Sequence, residues 1–155
     1  MKIVKSSILL MILGIVFNAQ TLNAHCEIPC GIYADSVRIT LILEHITTIE
    51  KAMNNINRLS TSEEVNYNQL VRWVMNKEEH AEKIQEIVSQ YFLHQRIKVV
   101  DEKDVEKHTK YLAQLASLHN ILVLTMKTKQ STKVEIIGKL KSSVSEFTSL
   151  YFHKH

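Results

Sequence analysis

The chain has 155 residues, 45% of them hydrophobic and 23% charged, which suits one globular domain and excludes a disordered polyelectrolyte. Three glycines and one proline in the whole chain argue against a turn-rich β architecture and for helices. The formal charge of +3 includes Lys2 and Lys5. Without residues 1–24 it falls to +1 (17 basic against 16 acidic), so charge offers no case for nucleic acid or an anionic membrane as partner.

Residues 1–24 read as a secretory signal peptide. Lys2 and Lys5 form a positive start, Ile8 to Phe17 an apolar run, and Asn18 to Ala24 a more polar segment ending in a small residue. The apolar run falls short of the roughly 20 residues of a membrane span, so a retained signal anchor is the weaker alternative. Leu22 fits the −3 position less well than a small residue would. Removal after Ala24 predicts an exported chain, periplasmic or secreted, with no stable membrane anchor and with His25 as its first residue.

His25-Cys26-Glu27-Ile28-Pro29-Cys30-Gly31-Ile32-Tyr33 follows, and it holds both cysteines and the only proline. Two cysteines at i and i+4 in an exported protein have an ordinary explanation, a Cys26–Cys30 disulfide. Such a bridge would close only a tiny loop, leaving a helical bundle without catalysis, suited to binding or interaction. The other reading is a metal hook. With His25 terminal, its α-amine and imidazole, the Cys26 thiolate and backbone nitrogen, and the Cys30 thiolate can all reach one ion. Pro29 restricts the turn and Gly31 permits positive φ, which favours a tight hook. Nitrogen and thiolate donors in a plane suit nickel(II) or copper(II), while four side-chain ligands in a tetrahedron would suit zinc. A metal-binding module without turnover stays open on these residues.

Residues 34–155 read as four helices, hence an all-α antiparallel four-helix bundle. The first carries Ile39, Ile42, Ile46, Ile49, Met53 and Ile56 at helical spacing, with Asp35 or Ser36 as cap and an end within 54–60. Thr61-Ser62-Glu63-Glu64 resembles a capping box, predicting a second helix over about 62–95 with a break near Tyr67. Its seam is Leu70, Trp73, Lys77, His80, Ile84, Ile87 and Tyr91, widened by Val71, Val74 and Val88. Asp101 is the expected cap of a third helix bearing Tyr111, Leu115, Leu118, Leu122 and Met126. The fourth shows Val134, Ile137, Leu140, Val144, Phe147 and Tyr151, with Gly138 weakening it.

His45, His80, His108 and His119 fall on helices but outside any Glu-x-x-His pattern of di-iron bundles. Lys77 and His80 are expected to be satisfied at a rim or subunit contact rather than to act as ligands. His153 and His155 are expected to be solvated. Phosphate loops, nucleophile elbows and HExxH motifs are absent from the sequence.

The segment from His25 to Tyr33 resembles the nickel hook of nickel-dependent superoxide dismutases, His-Cys-x-x-Pro-Cys-Gly-x-Tyr, at all six fixed positions. Tyr91-Phe92 is similar to a Tyr-Phe pair on that family's second helix. The resemblance implies one nickel ion per subunit held by His25, Cys26 and Cys30, and cycling between the +2 and +3 states. It implies superoxide as substrate, Tyr33 beside the open face as the residue that orders water and limits access, and a homohexamer of bundles. Glu27 departs from a frequent aspartate. In some members a glutamate–arginine pair steadies the axial imidazole, and here Glu44 and Arg38 are candidates by position only.

Overall fold

The computed structural model describes Pro29 and residues 31–152. The leader, His25, Cys26, Cys30, His153 and His155 lie outside the described residues. The chain divides into two units, residues 1–33 and 34–155. Within the second, four helices form and, among the described residues, no strand.

Helix α1 spans Asp35–Ser60 and buries Ile39, Ile42, Ile46, Ile49, Ala52, Met53 and Ile56 on one face, as the three-and-four spacing dictates. Its N-cap is Ala34, with no side-chain cap bond. Asp35 does not cap as expected, because Arg96, Tyr91 and Tyr151 all donate to its carboxylate. The expected capping box is also absent. Thr61 and Ser62 turn their hydroxyls back onto the final carbonyls of α1 at Asn57 and Arg58, closing that helix instead of opening the next.

Helix α2 begins at Tyr67, capped by the Asn66 side chain, which accepts from the Gln69 N–H at 3.0 Å. It is α-helical over Tyr67–Glu86 and continues as a π-helical stretch over Ile87–Arg96. Lys77, Ala81, Ile84, Val88, Tyr91 and Phe92 are buried along it. Val71 and Val74 do not widen the buried seam. With Tyr67 and Met75 they make a second apolar stripe, exposed, at i, i+4, i+7 and i+8.

Helix α3 runs over Val105–Gln130 and is capped by Asp104, whose side chain accepts from the Lys107 N–H at 3.2 Å. Asp101 sits three residues too early to cap and instead turns the loop by accepting from the Lys103 N–H. Met126 is exposed, and Ile121 and Leu124 supply the core in its place. Helix α4 covers Glu135–Phe152 and buries Ile137, Leu140, Val144 and Phe147. Gly138 stays within it, on the exposed face.

Cross-helix bonds fix the direction of every neighbour. Asp35 and His45 of α1 meet Arg96 and His80 of α2; Lys77 and Glu82 of α2 meet the end of α3. Gln114 and Asn120 of α3 meet Leu150 and Ser143 of α4, and Glu50 of α1 meets Lys141 of α4. For α1–α2 and α3–α4 one index rises as the other falls, and Asp35–Tyr151 beside Glu50–Lys141 shows the same for α1–α4. Lys77, in the first half of α2, meets the end of α3 while residues 97–104 join the other ends of these two helices, so all four adjacent pairs are antiparallel. The core runs along the bundle through Ile42, Ile46, Ile84, Leu118, Leu140 and Phe147 among others, each fully buried side chain contributing about 1.5–3 kcal/mol.

One end of the bundle is aromatic. Phe92 lies edge-on to Tyr91, Phe147 and Tyr151, with centroids 5.1, 5.0 and 5.6 Å away. At another position a charge is buried. Lys77 is 3% exposed, and its Nζ donates to the Thr128 and Lys129 carbonyls at 2.7 and 2.6 Å and to Glu78 Oε1 at 2.6 Å. These partners take up all three ammonium donors and satisfy two carbonyls at the α3 C-terminus, where a cation is favoured. The lysine is satisfied, as expected, but inside the bundle.

Candidate metal centre

In the first unit, the Ile32 N–H donates to the Pro29 carbonyl at 2.7 Å, and Gly31 has φ +82°. A left-handed residue at the third position of a four-residue turn suits glycine, because a Cβ there is strained. The glycine singled out from the sequence therefore takes the backbone conformation for which it was singled out. Tyr33 is 38% exposed, which leaves its side chain open to solvent. His25, Cys26 and Cys30, the expected ligands, lie outside the described residues. Their donor set of amine, imidazole and two thiolates fits nickel by its chemistry, and the turn at Gly31 is a backbone reversal of the kind such a hook requires.

In the second unit, the first residue of α1 anchors a polar junction. The Asp35 carboxylate accepts from Tyr91 Oη at 2.6 Å and Arg96 Nε at 2.8 Å on Oδ1, and from Arg96 Nη2 at 2.7 Å and Tyr151 Oη at 2.8 Å on Oδ2. Arginine thus grips both oxygens with a fork. Burial by itself would raise the Asp35 carboxyl, but the bonds from Arg96, Tyr91 and Tyr151 outweigh it and hold the group below its ordinary value. Burial, then the bond to Asp35, pushes the Tyr151 hydroxyl up to about 12 and raises that of Tyr91 as well.

The π-helical stretch makes this convergence geometrically easy. Residues five apart on an α-helix point about 140° away from each other. With i→i+5 bonding, seen in the Ile97 N–H donating to the Phe92 carbonyl at 2.9 Å, Tyr91 and Arg96 face the same way. Arg38 stands over the Tyr91 ring, 4.9 Å from its centroid. Glu44 is exposed on α1. The structure thus brings Arg38 to Tyr91 and leaves Glu44 apart from that cluster.

Sequence reading passed over Asp35, Arg96 and Tyr151 as a group. Periodicity marks Tyr91 and Tyr151 as seam positions, yet five-residue spacing from Tyr91 to Arg96 carries no signal while the helix is assumed to be α. A third constellation joins His45 to His80, with Nδ1 atoms 3.0 Å apart. Burial, the partner His80 and Lys83 lower the His45 imidazole, with Glu44 opposing; burial and Lys83 lower that of His80, with Glu79 opposing.

The described helices define an all-α bundle protein. A family model described as nickel-containing superoxide dismutase matches residues 20–155, most of the chain, and the chain belongs to that family. It is accordingly a superoxide dismutase, an oxidoreductase with a nickel cofactor. Neither the curated proteins nor the solved structures contain a match to it.

Proposed function

We propose that the dismutase site is the processed N-terminus: His25, Cys26 and Cys30 hold the nickel ion and Tyr33 governs access to it. The observation that carries this reading is the left-handed Gly31 beside Cys30, within the six-residue match to the hook pattern. When bound, nickel supplies one-electron redox chemistry between its +2 and +3 states. The residues hold and tune it. His25 offers its free amine and imidazole, Cys26 its thiolate and backbone nitrogen, and Cys30 a second thiolate. The Tyr33 hydroxyl donates to a small anion or water at the open face. Over a full cycle two superoxide anions and two protons yield dioxygen and hydrogen peroxide.

This reading requires that residues 1–24 be removed, since only a cut after Ala24 frees the His25 amine, and the signal-like leader goes with export to periplasm or exterior. Residues 25–33 then form the hook and 34–155 the bundle. Among the described residues no helix is long and apolar enough to cross a membrane. We also propose a homo-oligomer, a hexamer by family likeness. The exposed stripe of Tyr67, Val71, Val74 and Met75 supports buried subunit contacts.

Intact mass of the exported protein, nickel content and superoxide dismutation test the site together. Cys26→Ser and Cys30→Ser are each expected to abolish activity while far-UV circular dichroism stays helical. A mature chain beginning anywhere but His25, or full activity in either variant, would sink the ligand set.

A further inference from the structure

His45 and His80 meet across α1 and α2 through like atoms, Nδ1 against Nδ1 at 3.0 Å, with ring centroids 5.0 Å apart and planes at 70°. A hydrogen bond between two such nitrogens needs one ring protonated at Nδ1 and the other at Nε2. If the donor ring shifts its proton to its own Nε2, two lone pairs converge on one small volume. We propose that His45 and His80 form a second metal site, made by the helical unit alone, for a divalent cation of tetragonal preference, nickel(II) or copper(II).

The separation selects the geometry. Imidazole nitrogens bind such ions at about 2.0–2.1 Å, so nitrogens 3.0 Å apart subtend about 95° at the metal. That is the angle between neighbouring positions of a square-planar or octahedral ion. A tetrahedral ion such as zinc would need the rings spread further. The rings are held in place by their helices. His45 lies one turn from the buried Ile42 and Ile49, while His80 adjoins Ala81 and lies one turn from Ile84. Both are half-buried, so packing limits their rotamers while water can complete the coordination.

Nearby charge is mixed. Glu44 and Glu79 act on the rings as anions and Lys83 as a cation. Lys83, which Glu79 engages at 2.6 Å, outweighs Glu44 at His45 and Glu79 at His80, so the site rests on the placement of the two nitrogens and not on a negative field. Neutral rings exchange a shared proton for a metal by a tautomer shift, with no net proton released.

The test uses the processed chain carrying Cys26→Ser and Cys30→Ser, which removes the thiolates that would otherwise take the first metal. Ni²⁺ is titrated by calorimetry, and the imidazole resonances are followed for paramagnetic broadening. The expected result is that His45→Gln and His80→Gln each remove one equivalent of bound nickel, and that Ni²⁺ broadens both ring signals in the parent. Gln preserves volume and polarity, and circular dichroism verifies the fold. Uptake unchanged in both variants, or ring signals untouched by Ni²⁺, overturns the proposal. Neither readout depends on dismutation, so a failure here is distinct from a failure of the N-terminal site.

Discussion

Asp35→Asn isolates the junction at the start of α1. The substitution keeps size and one acceptor oxygen, removes the charge, and turns an NH₂ toward the Arg96 fork or the tyrosine hydroxyls. Breaking a fully buried pair costs about 3–5 kcal/mol. Here the side chains are 17% and 24% exposed, so solvent recovers part of that loss, and about 2–3 kcal/mol is the reasonable expectation. For a domain of this length that corresponds to a fall in Tm of about 6–10 °C. The assay is thermal or urea unfolding at fixed protein concentration, repeated across acid pH. The folded Asp35 pKa lies below the ordinary 3.8. Its stabilisation is therefore complete above that unfolded value and is lost as pH falls through the folded one. Wild type and variant should differ fully near neutrality and converge below pH 3.8. A variant within about 0.5 kcal/mol of wild type, typical of featureless surface positions, would refute the account. So would a gap that persists unchanged into strong acid.

Lys77→Met should lose about 1–3 kcal/mol in urea unfolding, because two α3 carbonyls and Glu78 lose their donor while the methyl group recovers only packing; an equally stable variant would mean that water replaces the ammonium freely. Gly31→Ala meets no atom within 4 Å but must hold φ +82°, a strain of about 1–2 kcal/mol. It should weaken nickel uptake and activity about tenfold at unchanged helicity, since the strain is confined to the turn; wild-type nickel affinity would show that the turn plays no part in the hook.

Burial periodicity made α1 and α4 legible, because each presents one apolar stripe to one core and nothing competes with it. On α2 the same signal misled. Val71 and Val74 have the hydrophobicity of core residues, and only the third dimension reveals that their stripe faces outward. Helix starts were misplaced for a common reason. Asp35, Thr61 and Asp101 are competent caps, yet each has a partner elsewhere: Arg96 for the first, the end of α1 for the second, a loop amide for the third. The proposed hook is the part of the candidate site most readable in the sequence, since its spacing is local in the chain. The meeting of His45 with His80, 35 positions apart, leaves no local trace.

Helix ends ordinarily fray one at a time, each terminal turn opening at little cost to its neighbours. At the Asp35 end this independence is lost. One carboxylate ties the first turn of α1 to the π-helical end of α2 and to the last turn of α4. To open any of the three, the chain must abandon bonds that serve the other two, so the three ends breathe as a single cooperative unit. Slow amide exchange should therefore begin at Arg38, the first amide of α1 with a backbone acceptor, the Ala34 carbonyl at 3.2 Å, where the first bonded turn of a lone helix would already be exchanging freely.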